Sequence, residues 1–310
     1  MFLSEDQVRQ LAHADEVITA IRAAFARDYS TTLRMPVRTS MDLAEGGLLL
    51  LMPCYDSALG VAGVKTVIVS PVSGVTAAYE LIDPVTGKTL TRMAASWLTE
   101  LRTAATSAVA TDLLAPPDVE TLGVFGCGRE AVAHVMLLPL VRRFKRFLVC
   151  GSTRAKAEEF ARKMKDEQGS NIEAMDATGC ARESDVICTC TTSPTPLFDG
   201  RDLHPGAHLN LVGAFQPRTR EVDDETVKRA RIVVDTYDGA LAEAGDLLIP
   251  LKNGAIRREH ILADLHEVAG GKRKVRASRE DITLFKSVGC ALEDLVTAKI
   301  VWERAVSGSQ

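Results

Sequence analysis

Leu122-Gly123-Val124-Phe125-Gly126-Cys127-Gly128-Arg129-Glu130-Ala131 is the stretch whose reading decides the fold. Residues 122–125 are a short apolar run of the kind that forms a buried strand, and a helix with an apolar face follows from the glycines. Between them lies Gly-x-Gly-x-x-Ala. Gly126 permits a tight turn out of the strand, Gly128 lets the backbone approach a pyrophosphate, and Ala131 lets the helix pack near the sheet. The free N–H groups and positive dipole end of that helix would then face phosphate. In a strand–turn–helix setting the string predicts a dinucleotide-binding loop, with Gly126, Gly128, Arg129 and Ala131 at the cofactor. A glycine turn without a ligand is the plain alternative.

The surrounding sequence keeps the same rhythm. Strands are predicted over 146–150, 185–190, 209–212 and 232–235, with a helix over 155–165. Strands and helices alternating at this spacing imply parallel βαβ units, an α/β fold of the Rossmann type. Upstream, Pro116-Pro117 marks a boundary. Before it, Ser4 and Gln7 fit a capping box on one helix whose apolar face carries Val8, Leu11, Val17, Ile18 and Ile21. Strands over 48–52 and 63–70 follow. A hairpin is expected around Asp83-Pro84 and Thr86-Gly87, then an alanine-rich helix over 97–115. The tail, 281–303, reads as one helix.

Cofactor choice is read at the end of the second strand of the parallel set. An acid there would bind both ribose hydroxyls of NAD. The string is Cys150-Gly151-Ser152-Thr153-Arg154, with no acid. Ser152, Thr153 and Arg154 suit a 2′-phosphate, so NADPH is expected over NADH or NAD. Ser152 as a helix cap with Arg154 in solvent is the competing reading.

The bulk properties fit a soluble enzyme of the cytoplasm. The chain has 310 residues, 46% hydrophobic and 25% charged, with a formal net charge of -4. That balance gives no reason to expect nucleic acid or an anionic membrane as partner. A basic stretch at Lys272, Arg273 and Lys274 reads as a solvated loop or helix end. No apolar run is long enough to span a bilayer, and MFLSEDQVRQ is acidic where a signal peptide would be basic. The seven cysteines are scattered through apolar segments and read as reduced thiols, and no spacing suggests a metal site.

Several strings together resemble the ornithine cyclodeaminase/mu-crystallin family: LLLMP (49–53), GVKTV (63–67), IDPVTGK (82–88), LTELRTAATSAVAT (98–111), GCGREA (126–131) and SVGCALED (287–294). They run in the family's order over nearly the whole chain. The resemblance implies a discontinuous α+β substrate-binding and dimerisation domain, residues 1–115 plus 285–310, with the Rossmann domain, 116–284, inserted. It implies a homodimer, and a small imino or amino acid bound in the cleft facing the nicotinamide. Three cations match family positions: Arg38, Lys65 and Arg102. A guanidinium binds a carboxylate in a planar, two-pronged way. Lys65 lies in an apolar strand, where burial would need an anionic partner. The resemblance also sets Thr103 at the cofactor.

Two departures from the family pattern choose among its activities. Cyclodeaminases and alanine dehydrogenases carry an aspartate shortly after the Val212-Gly213 pair, where this chain has Phe215. Cyclodeaminases carry a glutamate two residues before the Met-Pro pair, where this chain has Leu50. A free diamine needs such carboxylates, whereas an apolar wall suits the ring of a cyclic imine. The expected activity is NADPH-dependent reduction of a cyclic ketimine acid, Δ1-pyrroline-2-carboxylate or Δ1-piperideine-2-carboxylate, to proline or pipecolate. Arg38 and Arg102 would anchor the carboxylate, Phe215 would wall the ring, and Lys65 would be the catalytic proton source. Ornithine cyclodeaminase, an alanine-dehydrogenase-like enzyme and a non-catalytic small-molecule binder remain as rivals. His134, His204 and His208 match no family site. Glu293 and Asp294 read as helix-face acids with some prospect of lining the cleft, and Asp235 as a strand end.

Overall fold

The computed structural model describes residues 1–308. Two compact units emerge: Met1–Thr106 together with the segment from Gly289 onward, and Ser107–Val288.

The first unit opens on β1 (Phe2–Leu3) and the capping box. The Ser4 N–H donates to Gln7 Oε1 at 2.9 Å and the Gln7 N–H donates to Ser4 Oγ at 3.4 Å. The expected single helix is two, α1 (Glu5–Leu11) and α2 (Ala14–Ala26), because Ala12 turns extended at φ −90° and ψ 96°. Their apolar residues, among them Val8, Val17, Ile18 and Ile21, are buried as read. Strands β2 (Leu33–Arg34), β3 (Thr39–Asp42), β4 (Leu48–Asp56), β5 (Val61–Ser70), β6 (Gly74–Ile82) and β7 (Thr89–Ala94) complete a seven-stranded sheet in the order β1-β7-β6-β5-β4-β2, with β3 also on β4. The long pairs are antiparallel, including the predicted hairpin, β6 with β7.

This sheet has one buried face. Leu50, Met52, Cys54 and Asp56 of β4 share it with Val61, Lys65 and Val67 of β5 and with Tyr79 and Leu81 of β6. The alternate residues Leu51, Tyr55 and Ile68 face outward and are exposed. Such alternation is the signature of a half-buried antiparallel sheet. Helix α3 (Ser96–Leu114) follows. Its residues from 100 to 111 are all buried, which explains why it is alanine-rich on every side rather than striped. The division between units falls inside α3, before Pro116-Pro117.

The second unit is built on eight parallel strands. Its elements are β8 (Thr121–Phe125), α4 (Arg129–Leu137), β9 (Arg146–Cys150), α5 (Arg154–Gln168), β10 (Ile172–Ala174), α6 (Ala177–Glu183), β11 (Val186–Thr189), β12 (His208–Leu211), α7 (Asp224–Arg229), β13 (Ala230–Val234), α8 (Tyr237–Glu243), α9 (Gly245–Lys252), β14 (Ile261–Asp264), α10 (Leu265–Ala269) and β15 (Ile282–Lys286). The sheet order is β10-β9-β8-β11-β12-β15-β13-β14. Every residue of β8, β11, β12 and β15 is buried, as expected when both faces of a parallel sheet are covered. This is a Rossmann-type sheet, with its reversal of strand order between β8 and β11.

The expectation of one helix over 281–303 is corrected. Residues 282–286 are β15, paired with β12 and β13, and helix α11 (Ala291–Ser307) starts only after Gly289, which sits at φ +82°. Ile282-Thr283-Leu284-Phe285 is a fully buried run without alternation, so periodicity could not separate it from the helix behind it. Among the described residues, no helix is long and apolar enough to cross a membrane. All seven cysteines are free thiols.

Candidate functional site

In the second unit, the glycine loop leaves β8 and enters α4 as the sequence predicts. Gly126 adopts φ +116°, and a Cβ there would lie 2.5 Å from the Cys190 carbonyl oxygen, so glycine is required twice over. Gly128 is the N-cap of α4, yet a Cβ on it would meet nothing within 4 Å. No internal packing demands glycine at 128, and the open space there would admit the close approach of a pyrophosphate. Ala131 is fully buried at the first turn of α4 and Arg129 is exposed beside it. The loop, the nine-residue helix behind it and its uncapped first-turn N–H groups fit a dinucleotide.

At the end of β9, Ser152, Thr153 and Arg154 are exposed. Thr153 is the N-cap of α5, its Oγ1 accepting the Lys156 N–H at 3.3 Å. Thus Thr153, not Ser152, is the helix cap. Arg154 Nε lies 2.8 Å from Glu158 Oε1, an exposed pair one turn apart that holds the guanidinium only weakly. A Cβ at Gly151 would stand 3.0 Å from the Ala157 nitrogen, Cys127 Sγ and the Thr153 oxygen, so a side chain there would be crowded.

In the first unit, two of the three predicted cations meet. Lys65 on β5 is 1% exposed and Arg102 on α3 is 5% exposed. Lys65 Nζ donates to Asp294 Oδ1 at 2.7 Å. Arg102 Nη1 donates to Glu293 Oε2 at 2.7 Å, and its Nε lies 3.0 Å from the same Asp294 Oδ1. Glu293 and Asp294, expected on a helix face, are fully buried in the first turn of α11, where the helix dipole favours carboxylates. Glu293 Oε1 also accepts the Cys290 N–H at 3.3 Å. Gly289 makes the approach possible: a Cβ there would stand 2.4 Å from Arg102 Nη1. Two cations thus share two carboxylates out of water, the arrangement burial of charge requires.

The electrostatics follow. Burial, then the neighbouring Arg102, pushes Lys65 down to about 8, against the pull of Asp294. Burial, then Asp294, pushes the Cys54 thiol up to about 12, and burial raises the Tyr79 phenol. Tyr79 and Lys65 are cross-strand partners. The Tyr79 hydroxyl and Asp294 Oδ2 are buried without a hydrogen-bond partner among the described residues, so the cluster keeps unspent polar capacity.

Arg38 belongs to the first unit, half-buried on the link between β2 and β3. Thr103 is nearly buried, its Oγ1 donating to the Thr99 carbonyl at 2.8 Å inside α3. Phe215 belongs to the second unit and packs, half-buried, on that unit's apolar core. The histidines are structural. His134 lies between the Glu130 carbonyl and Ser107 Oγ, with burial lowering it to about 4. His208 lies between Thr283 and Asn210, lowered to about 3 by burial and then Arg276. Asp235, at the end of β13, accepts the Ser287 hydroxyl and the Val288 N–H at 3.1 and 2.7 Å.

The family model for the ornithine cyclodeaminase/mu-crystallin family matches residues 1–309. Ketimine reductase mu-crystallin of Rattus norvegicus is 36% identical over 318 aligned residues, covering 99% of this chain and 98% of the relative. Among solved structures, Δ1-pyrroline-2-carboxylate reductase of Thermococcus litoralis, in complex with NADH and L-proline, superposes with a TM-score of 0.96 at 35% identity, covering 100% of this chain and 98% of the other. An archaeal alanine dehydrogenase dimer with bound NAD gives a TM-score of 0.93 at 31% identity, covering 100% and 97%. The chain belongs to the ornithine cyclodeaminase/mu-crystallin family.

Proposed function

We propose that this protein is an NADPH-dependent reductase of cyclic ketimine acids, converting Δ1-pyrroline-2-carboxylate or Δ1-piperideine-2-carboxylate to proline or pipecolate. The observation that carries the reading is the buried cluster in which Lys65 of the sheet meets Arg102, Glu293 and Asp294 of helices α3 and α11. Leu50, where a cyclodeaminase would carry glutamate, is 6% exposed on that same face, beside Met52, the cross-strand partner of Lys65. Both carboxylates beside Lys65 are already matched to cations. Their charges are balanced by Lys65 and Arg102, so neither is left to offset the charge of a second ammonium group, which speaks against ornithine as substrate. The relatives named as ketimine and pyrroline-2-carboxylate reductases support the same choice.

In this reading Arg102 binds the substrate carboxylate, held in orientation by Glu293, and Arg38 joins it. The bound reduced nicotinamide supplies the hydride. Lys65, poised near neutrality with a pKa of about 8, donates the proton that the imine nitrogen needs, directly or through a water. Asp294 Oδ2, buried without a partner, is the acceptor for that water or for an iminium N–H. Phe215 contributes apolar surface for the ring. Gly126, Gly128, Arg129, Ala131 and Thr103 hold the dinucleotide. Ser152, Thr153 and Arg154 select its 2′-phosphate, supported by their exposure and by the absence of an acid from residues 150–154. A homodimer fits the exposed apolar residues Met41, Leu51, Tyr55 and Ile68 on the outer face of the seven-stranded sheet. The dimeric alanine dehydrogenase relative supports it.

The deciding experiment mixes purified protein with NADPH and each imine, with pyruvate plus ammonia, and with ornithine. Consumption of NADPH with an imine supports the reading. Turnover of ornithine with no NADPH loss on either imine overturns it.

A further inference from the structure

The second unit buries a charged group of residues that the reaction as described does not use. Glu221, Asp246 and Lys286 are each fully buried. Glu221 lies in the irregular stretch between β12 and α7, Asp246 near the start of α9, and Lys286 at the end of β15. Lys286 Nζ stands 3.0 Å from Asp246 Oδ2 and donates to the Leu211 carbonyl at 3.1 Å. Asp246 Oδ1 in turn accepts the backbone N–H groups of Glu221 and Val222 at 2.7 and 3.2 Å.

The Glu221 carboxylate has a specific set of donors. Its Oε1 accepts the Thr191 N–H at 2.8 Å and the Thr191 hydroxyl at 2.7 Å. Its Oε2 accepts the Thr189 hydroxyl at 2.7 Å, the Gly213 N–H at 2.8 Å and the Ala214 N–H at 3.2 Å. Five donors from two segments thus converge on two oxygens. Three are backbone N–H groups that can only donate, so each oxygen must be an acceptor. The two segments are the end of β11 with the chain just beyond it, and the chain just beyond β12. Packing around them leaves no slack: a Cβ at Gly213 would stand 2.2 Å from the Thr191 oxygen and 2.4 Å from Glu221 Oε1. At the far side, a Cβ at Gly245 would stand 2.0 Å from the Thr219 oxygen.

The location gives this clamp a role. In a doubly wound sheet, ligands bind at the carboxyl ends of the strands, across the point where strand order reverses. Here that point lies between β8 and β11. The glycine loop after β8 takes the pyrophosphate, and β9, with Ser152 to Arg154 behind it, lies on the adenosine side. The other half of the dinucleotide therefore extends over β11 and β12, whose two exit segments Glu221 joins. We propose that Glu221 is a positioning residue for the nicotinamide half of the cofactor: it fixes the exits of β11 and β12 as one rigid platform. The proposal rests on the dinucleotide reading above, but not on the identity of the imine.

Glu221→Gln tests it. The amide NH2 replaces one acceptor oxygen and meets donors head-on, so one of the two exits must come loose while the side chain keeps its size. Two probes are compared by equilibrium titration: NADPH, followed by its nicotinamide fluorescence, and 2′-phospho-ADP-ribose, the same molecule without nicotinamide, followed by calorimetry. The variant is expected to bind NADPH at least tenfold more weakly and 2′-phospho-ADP-ribose within twofold of the parent. Thr191→Val, which removes one hydroxyl donor and keeps the backbone N–H, is expected to weaken NADPH about threefold with the same sparing of the fragment, and it decides the matter if the glutamine variant does not fold. Equal weakening of both probes, or unchanged NADPH binding, overturns the proposal. Failure of the parent protein to bind either NADPH or NADH would instead overturn the dinucleotide reading.

Discussion

Asp294→Asn separates a proton-donating Lys65 from a merely structural one. Asp294 Oδ1 lies 2.7 Å from Lys65 Nζ and 3.0 Å from Arg102 Nε, so the substitution leaves two buried cations with Glu293 as their remaining anion. Opposite unit charges at that separation attract by about 6 kcal/mol at an effective dielectric constant of about 20. With about 1.4 kcal/mol per pKa unit, the ceiling on the shift is about four units. The asparagine oxygen can still accept from Lys65, and Glu293 remains, so roughly a third of that ceiling is the working figure. The sign is fixed: losing the anion disfavours the ammonium, so Lys65 drops from about 8 to below 7 and is largely neutral at pH 7.5. The assay is kcat/KM for imine reduction at saturating NADPH, across about pH 5.5 to 9. The parent profile should fall as pH rises through about 8, and the variant's alkaline limb should begin at least one unit lower. The substrate's own titration is common to both profiles and cancels. A variant that loses amplitude but keeps the parent's alkaline limb refutes Lys65 as the proton source.

Two other substitutions probe the separate halves of the reaction. Gly289→Ala places a methyl group 2.4 Å from Arg102 Nη1 at a backbone φ of +82°, so the guanidinium must move. The KM for the imine should rise about tenfold or more while the NADPH dissociation constant stays unchanged, and an unchanged KM would remove Arg102 from the substrate. Arg154→Ala breaks only an exposed ion pair with Glu158, so folding should be unaffected. The ratio of kcat/KM for NADPH to that for NADH should fall about tenfold, whereas equal loss with both cofactors would remove Arg154 from the 2′-phosphate.

The parallel sheet was readable because its signals are local. Strands β8, β9, β11, β12 and β13 show as short, mainly apolar runs, and Gly126-x-Gly128-x-x-Ala131 fixes which of them comes first. Strands β10 and β14, three and four residues long, give too short a pattern to be read, and two further elements were misread for one shared reason: hydrophobic periodicity reports burial, not hydrogen bonding. Val8 to Ile21 keeps a helical stripe although Ala12 breaks the backbone between α1 and α2, since both helices bury the same kind of face. Residues 282–286 are buried on both sides as the sixth strand of the order, and nothing in their pattern distinguishes them from the buried first turns of α11. Gly289, in a left-handed conformation between them, was the only local mark of the break.

The site divides along the same line. A lysine inside GVKTV announces that it needs an anion, because an ammonium in an apolar strand is too costly alone. The sequence could not say which anion, since Lys65 and Asp294 are 229 residues apart in the chain. Glu293 and Asp294 also sit where first-turn acids are common on any exposed helix, which hides their role. The missing signal was the company they keep: residues 291–298 are all buried, so an acid pair among Ala291, Leu292, Leu295 and Val296 cannot be solvated by water and must be answered by cations from elsewhere. That reasoning does not reach Glu221, flanked by Arg220 and Val222 in a stretch that looks like polar loop. Its burial shows only in the folded chain, where five donors from Thr189, Thr191, Gly213 and Ala214 converge on it. Buried acids in this protein therefore mark where separate segments are tied together, α11 to the Lys65 strand in one unit and the exits of β11 and β12 in the other.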